Sequence, residues 1–255
     1  MNQRSYRRNM QYFIGIDDTD NLESRGTGFR ARQLGTMLEE AGIAELICIT
    51  RHQLLVHKDI PYTSHNSSAC LLLECEKAKE AELTDFCREF LLRESAPGSD
   101  AGLCIASSEV ITLGLENWGK NAKRIVLNKA LAHELALQNN IYLEGLTGEK
   151  IGVIGALAAV GLRHAGNDGR VLWLPFLRDT EGVFSAGELK KRLCVDTITT
   201  KEGTVIQPDD SIITDNWLRP VMRNKEITLI VEKTEDHGQY KWQHVPKEYI
   251  KSISN

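Results

Sequence analysis

The segment at residues 11–16 constrains the fold most. It is a short apolar run, rich in aromatic and β-branched residues, and it ends abruptly at the first of three carboxylates in the turn Asp17–Asp20. Such a run, bounded by a polar loop, is typical of a buried strand. After the loop, apolar residues recur at helical spacing and stop before Gly42: Phe29, Leu34, Met37, Leu38 and Ala41. The pattern predicts one unit of strand, acidic loop and four-turn helix.

The remaining pattern predicts an α/β (α+β) fold in two domains, residues 1–108 and 109–255. Strands are expected at residues 45–50, 67–75 and 102–106, with a helix at 78–92. The second part is expected to hold helices near residues 125–137, 151–162 and 188–194, with strands at 171–174, 205–213 and 226–232.

Composition narrows the class of protein. The chain has 255 residues, of which 42% are hydrophobic and 26% charged, so it can bury a sizeable core. No apolar run approaches the length of a bilayer span, and no export signal is recognisable, so we expect a cytoplasmic protein. Six cysteines occur without a C-x-x-C pair, which argues against a zinc ribbon and favours a reducing compartment. The net charge of −4 requires any nucleic-acid contact to come from a local patch.

The acidic turn predicts a magnesium site. Asp17, Asp18 and Asp20 would repel one another unless a cation neutralised them. Magnesium prefers oxygen ligands and usually shares them between one or two carboxylates, water and substrate phosphates. The competing interpretation is a solvated turn in which Asp and Asn side chains cap local amides.

The sequel to the turn predicts a phosphate site. Residues 24–28 read Ser-Arg-Gly-Thr-Gly and directly precede the predicted helix, so Gly26, Thr27 and Gly28 would bring backbone amides close to an anion. Together with Thr19 these residues are predicted to bind ATP. The chain has no Walker A loop. It also lacks a good haloacid-dehalogenase motif, because Leu22 occupies a position that usually holds Thr or Val.

Three segments resemble the tRNA-isoleucine agmatinylcytidine synthetases. Residues 14–20, Ile-Gly-Ile-Asp-Asp-Thr-Asp, are similar to the opening G-I-D-D-T-D-S of that family, which is followed by a G-x-C-T turn. Residues 65–69, His-Asn-Ser-Ser-Ala, resemble a G-N-G-A segment. Residues 155–161, Gly-Ala-Leu-Ala-Ala-Val-Gly, resemble I-G-A-L-A-A-I-G in the second domain of the family.

This resemblance implies a fold and an activity. The first domain would be an ATP-dependent kinase of the kind that acts on the anticodon cytidine, and the second would be ferredoxin-like. Asp17, Asp18 and Asp20 would be the metal and ATP residues, and Thr27 would align with a threonine that becomes phosphorylated. On this resemblance we expect the oligonucleotide-binding domain and zinc ribbon that follow in the family, and with them the regions that grip tRNA, to have no counterpart in this sequence.

Further candidates lie between the second and third predicted strands. Arg51, His52, His57 and Lys58 could neutralise phosphate charge during phosphoryl transfer, with Arg51 favoured because a guanidinium contacts phosphate at two points. An exposed basic loop explains them equally well. Asn66 is predicted to bind nucleotide or metal-bound water, and a turn-forming Asn is the alternative.

A small-residue loop at 98–102 offers another site. Its amides could bind an anion, and Asp100 could serve as a further metal ligand or general base. A plain surface loop is the simpler interpretation.

The predicted function is phosphoryl transfer or amine conjugation driven by ATP and Mg²⁺, with Asp18, Thr27, Arg51 and Lys58 as catalytic residues. The acceptor would be tRNA or a small molecule. One alternative is a nucleotide- or metal-binding subunit that works with a separate RNA-binding partner. Another is a small-molecule phosphatase with Asp18 as its nucleophile.

Overall fold

Strand β1 runs through the centre of the first of two units into which the chain divides, residues 1–164 and 165–255. The structure, a computed structural model, describes residues 9–61, 65–215, 217–234 and 241–254. In the first unit the strands are β1 (Asn9–Asp17), β2 (Ala44–Gln53), β3 (Ser67–Glu76), β4 (Gly102–Ser107) and β5 (Tyr142–Gly145). Its helices are α1 (Thr27–Glu40), α2 (Glu80–Glu94), α3 (Leu113–Ala122), α4 (Lys129–Gln138) and α5 (Val153–Ala165). The strand order is β5-β4-β1-β3-β2, and each neighbouring pair is antiparallel.

Helix α1 packs on strands β2 and β3. Its contact is close at Gly35, where a Cβ atom would lie 2.7 Å from Leu46 Cδ2. Leu46 pairs with Leu73 of β3, and both leucines are buried. Antiparallel partners share a face of the sheet, so Leu46 and Leu73 mark the face that α1 covers.

Helix α5 covers the other face. It crosses β1 at Gly15, where a Cβ atom would lie 2.0 Å from the carbonyl oxygen of Ala156. Gly15 pairs with Cys70 of β3, three residues before Leu73. Because successive side chains in a strand point to opposite faces, Cys70 and Leu73 face opposite ways. The sheet is therefore covered on both faces, which explains why β3 reads as a nearly continuous apolar run.

The second unit is richer in strands. These are β6 (Arg170–Trp173), β7 (Gly182–Ser185), β8 (Thr197–Thr200), β9 (Ser211–Thr214), β10 (Val221–Arg223), β11 (Glu226–Lys233) and β12 (Trp242–His244). Its helices are α6 (Ala186–Leu193) and α7 (Lys247–Ser254). The strand order is β6-β10-β11-β12-β9-β7, and β8 pairs in parallel with β11. Ser185 and Glu188 form a capping box that starts α6.

The mixed α/β fold predicted from the sequence is confirmed. The predicted first strand and helix correspond to β1 and α1, and the helix expected at residues 151–162 corresponds to α5. The helix expected at 125–137 is wrong in its first turn, because α4 begins at Lys129. Asn128 is the N-cap, and its side chain accepts a hydrogen bond from Leu131 N at 3.0 Å.

The two units divide later in the chain than the predicted position near residue 108. Strand β5 pairs with β4, and α5 packs on β1, so residues 109–164 complete the sheet of the first unit. The kinase-like and ferredoxin-like domain assignments stay predictions. Within the described part of the chain, no helix is long and apolar enough to cross a membrane.

Candidate functional site

The acidic turn leaves strand β1 at its carboxyl end. Asp17 is the last residue of β1, and Asp18 has a φ of 50°, in the left-handed region. Asp and Asn enter this region more readily than other residues with a side chain. The chain turns sharply here, and the side chains of Asp17, Asp18 and Asp20 line one cavity.

Hydrogen bonds join the turn to helix α1. The backbone amide and the hydroxyl of Thr27 both donate to Asp20 Oδ1, at 3.1 and 2.9 Å. Thr27 Oγ1 also accepts from the amide and the hydroxyl of Thr19, at 3.3 and 3.1 Å. Asp20 therefore caps α1, since Gly26 at the N-cap has no side chain to do so. The Thr27 hydroxyl, predicted to act in catalysis, is engaged in this buried network.

Two carboxyl groups of the turn resist ionisation. Burial, followed by the charges of Asp18 and Asp20, raises the pKa of Asp17 well above its usual range. Burial, followed by the charges of Asp100 and Asp20, raises the pKa of Asp18 to about 6. The neighbouring charges that raise both pKa values are those of other carboxylates. A cation bound here would oppose these shifts, because opposite charge favours the ionised form.

Asp100 is fixed in the loop before β4. Its Oδ1 accepts hydrogen bonds from the backbone amides of Glu149 and Lys150, the second at 3.1 Å. Thr147 strengthens the same junction by donating to the carbonyl oxygen of Ser99 at 2.7 Å. The small-residue loop at 98–102 is thus tied to the turn at 147–150, and the charge of Asp100 acts on Asp18.

Helix α5 begins directly against Asp17. A Cβ atom at Gly155 would lie 1.8 Å from Asp17 Oδ2, and one at Gly152 would lie 3.0 Å from the Asp17 carbonyl oxygen. Only glycine fits at either position without a shift of its neighbours. The first amides of a helix have no partner within the helix and attract anions. The start of α5 therefore brings such amides close to the acidic turn.

The cavity has a volume of about 280 Å³ and two chemically different parts. Its polar lining comes from Asp17, Asp18, Asp20, Thr27, Asp59, His65, Asn66, Ser67, Asn128 and Lys129. Its apolar lining comes from Leu54, Ile60, Pro61, Ala122, Ile125, Val126, Leu127, Ile151 and Ile154, with Gly152 and Gly155 beside them. Helices α1, α4 and α5 each contribute residues of their first turn or N-cap. The cavity thus combines acidic groups, helix N-termini and an aliphatic wall.

Some of the predicted nucleotide-binding residues reach this cavity. Thr27 and Asn66 line it, whereas Thr19 and Gly26 lie in the adjoining turn and Gly28 is the second residue of α1. The side-chain amide of Asn66 donates to the carbonyl oxygen of Leu55 at 2.6 Å. Asn66 therefore also holds together the loop between β2 and β3.

The side chains of Arg51 and Lys58, predicted to neutralise phosphate charge, lie outside the described lining of the cavity. Arg51 belongs to β2, and its guanidinium donates to Gln53 Oε1 at 3.2 Å. Lys58 is exposed on the loop that contributes Asp59 and Ile60 to the lining. Their catalytic roles stay predictions.

Sequence reasoning missed the opposite wall of the cavity. Lys129 and the segment at residues 125–127 line it, and the sequence pattern had placed that segment inside a helix. The signal available was Asn128, a residue type that commonly caps a helix. It would have moved the start of α4 and left residues 125–127 outside the helix.

The acidic residues fit a metal ion that is shared with a ligand. Within the ranges that the structure describes, no group of three or more His, Cys, Asp or Glu side chains is arranged to hold a metal ion alone. Carboxylate oxygens are nevertheless the hard donors that Mg²⁺ prefers. This ion commonly binds one or two carboxylates and completes its coordination with phosphate and water. The donor set therefore suits Mg²⁺ carried with a phosphate compound.

Comparison with known proteins identifies a sequence relative and solved structures with a similar fold. No family model matches the chain. The uncharacterized protein MJ0921 of Methanocaldococcus jannaschii is 28% identical over 153 residues, which cover 58% of this chain and 49% of that protein. The chain thus spans about half the length of this curated relative.

Solved structures confirm the predicted resemblance to TiaS, the tRNA agmatidine synthetase, at the level of the fold. The TiaS–tRNA–ATP complex matches with a TM-score of 0.52 and 24% identity, and a tRNA fluorescent labeling enzyme matches with 0.52 and 25%. The complex of TiaS with tRNA, AMPCPP and agmatine gives 0.51 and 24%. Each match covers 60% of this chain and 36% of the solved chain. The shared part is a minor fraction of those enzymes.

Proposed function

We propose that the cavity binds ATP with Mg²⁺ and that the protein uses this nucleotide for phosphoryl transfer or amine conjugation. The observation that carries the proposal is the convergence of Asp17, Asp18 and Asp20 with the starts of three helices on one cavity. Carboxylates hold a metal, and helix N-termini bind phosphate, so this combination suits a metal–polyphosphate compound.

In this proposal the acidic turn holds the metal ion. Asp17 and Asp18 contribute carboxylates whose ionised forms are unfavourable without a cation. Asp20 is positioned by its two hydrogen bonds from Thr27. A bound metal would neutralise phosphate charge, and ATP would supply the phosphoryl group.

The first turns of α1 and α5 are proposed to contact the phosphates. At α5, Gly152 and Gly155 keep the backbone free of side chains that would fill the space next to Asp17. At α1, Gly26 and Gly28 flank Thr27, which lines the cavity. Asn66 is proposed to contact the nucleotide from the loop between β2 and β3.

The aliphatic wall of the cavity is proposed to contact a second substrate or the nucleotide base. Leu54, Ile60, Ile125, Val126 and Ile154 offer an apolar surface next to the carboxylates. Solved TiaS complexes contain ATP with tRNA, and AMPCPP with tRNA and agmatine, which supports an ATP-dependent role related to tRNA. We also propose that the acceptor is tRNA or a small molecule and that the protein is cytoplasmic.

Calorimetric titration with ATP tests the proposal. We expect the wild type to bind ATP in the presence of Mg²⁺ and to lose most of that affinity in EDTA. Asp18→Asn keeps the shape of the side chain and removes its charge, so it should weaken binding at least about tenfold, the effect of losing one charged contact. Asp85→Asn, an exposed change on α2, serves as the matched control. Equal binding by wild type and Asp18→Asn would contradict the proposal.

Turnover separates an enzyme from a binding subunit. An enzyme should release ADP or AMP faster when its acceptor is supplied, and transcribed tRNA and aliphatic amines are the acceptors to compare. Binding of ATP without turnover, with or without these acceptors, would favour a nucleotide-binding subunit that works with an RNA-binding partner.

A further inference from the structure

Lys129 supplies positive charge to the cavity. Among the described residues that line it, Lys129 is the one with a Lys or Arg side chain, and it faces a lining that includes four carboxylates, Asp17, Asp18, Asp20 and Asp59. A polyphosphate in such a site needs cationic groups besides a metal ion, because carboxylates repel phosphate.

The fold fixes Lys129 through local contacts. Lys129 is the first residue of α4, directly after the capping residue Asn128. Its ammonium group donates a hydrogen bond to the carbonyl oxygen of Glu149. The amide of Glu149 donates in turn to Asp100, whose charge acts on Asp18. Two hydrogen bonds, both through Glu149, therefore link Lys129 to Asp100.

The position of Lys129 suits an anion. An ammonium group has three donors, and the contact with Glu149 uses one of them. The first amides of α4 lie next to it. Asn128 Oδ1 accepts a hydrogen bond at 3.0 Å from the amide of Leu131, the third residue of the helix. The amides of Lys129 and Ala130 precede the first bonds within the helix and strengthen the attraction for a negative group.

We propose that Lys129, with the first amides of α4, binds a phosphate group of the nucleotide and makes the cavity selective for polyphosphates. This inference rests on the proposed function and adds a phosphate-binding residue to it. Lys129 lies in the described lining of the cavity, whereas Lys58 is exposed and outside that lining.

Calorimetry with ATP and AMP provides the test. In Lys129→Met, ATP should bind about 10- to 100-fold more weakly, the effect of losing one charge-assisted hydrogen bond. AMP should lose less, and Lys129→Arg should retain part of the affinity for ATP. Lys77→Met, an exposed change directly after β3 and outside the described lining, is the matched control and should bind ATP within about twofold of the wild type. Thermal unfolding of each variant checks that it is folded.

The results separate this inference from the proposed function. If the wild type binds ATP and Lys129→Met binds it equally well, the role of Lys129 is wrong while the site stands. If the wild type binds no ATP, both are wrong.

Chemical modification of the wild type tests the same inference without a variant that could fail to fold. In the wild type, ATP with Mg²⁺ should protect Lys129 from acylation, whereas the exposed Lys77 should react at an unchanged rate, as measured by mass spectrometry. Equal labelling of Lys129 with and without ATP would overturn the inference.

Discussion

Substitution of Gly155 by Ala tests whether the start of α5 fixes the acidic turn. The added Cβ atom would lie 1.8 Å from Asp17 Oδ2, 2.6 Å from Asp17 Cγ and 3.0 Å from Leu54 Cδ1. Ordinary van der Waals contact begins at 3.4 Å, so the carboxylate oxygen is 1.6 Å too close. The side chain of Asp17 therefore has to rotate or the first turn of α5 has to move.

The two effects of Gly155→Ala act in opposite directions on stability. Alanine favours a helix over glycine by up to about 1 kcal/mol. Overpacking of a close contact costs about 1–3 kcal/mol. We expect a net destabilisation of up to about 2 kcal/mol, measured by urea unfolding. A displaced Asp17 would lose its contact with the metal ion, and loss of one charged contact should weaken binding of ATP with Mg²⁺ at least about tenfold.

Gly114→Ala is the control for this prediction. Gly114 is the second residue of α3, and its added Cβ atom would meet Thr112 Oγ1 at 3.4 Å and Leu135 Cδ1 at 3.6 Å, which are ordinary contacts. This variant should bind ATP normally and gain up to about 1 kcal/mol of stability. If Gly155→Ala also bound ATP with wild-type affinity, the geometry of Asp17 against α5 would be irrelevant to the site.

Three further predictions concern the acidic turn and the sheet behind it. Thr27→Val removes the hydroxyl that joins Asp20 to Thr19 and should lower the free energy of unfolding by about 1–3 kcal/mol in urea; an unchanged value would mean that the network is dispensable. Ser68 Oγ is buried without a hydrogen-bond partner in the described structure, so Ser68→Ala should raise the free energy of unfolding by about 1 kcal/mol, and a loss would reveal a partner. Burial and neighbouring carboxylates raise the pKa of Asp18 from 3.8 to about 6, so its contribution to stability is full below pH 3.8 and is lost as pH rises through about 6. Asp18→Asn should therefore raise the Tm of the ligand-free protein more at pH 8 than at pH 5, and an equal change at both would contradict the shift.

The acidic turn was predictable because its parts are neighbours in sequence. The apolar run of β1, the carboxylates and the helical spacing of α1 lie within residues 9–40, and local pattern alone predicts their order. The network between Asp20 and Thr27 spans seven residues, and a strand-to-helix turn brings such positions together. The side-chain partners themselves were not predicted, because several polar residues of the turn could have capped α1.

The opposite wall of the cavity depends on tertiary packing. Lys129 and Gly155 lie more than 100 residues after Asp17, and no local pattern shows that they share a cavity with it. The close contact of Gly155 with Asp17 follows only from where α5 crosses the sheet. The position of the division between the two units has the same cause, since the pairing of β5 with β4 joins distant segments.

A crystal structure with Mn²⁺ and a non-hydrolysable ATP analogue tests the central claim most directly. Anomalous scattering locates Mn²⁺, which prefers the same oxygen ligands as Mg²⁺. The account predicts one anomalous peak in the cavity, about 2.0–2.3 Å from a carboxylate oxygen of Asp17 or Asp18 and from a phosphate oxygen. A nucleotide bound elsewhere, or a metal ion in the cavity without contact to the acidic turn, would contradict it.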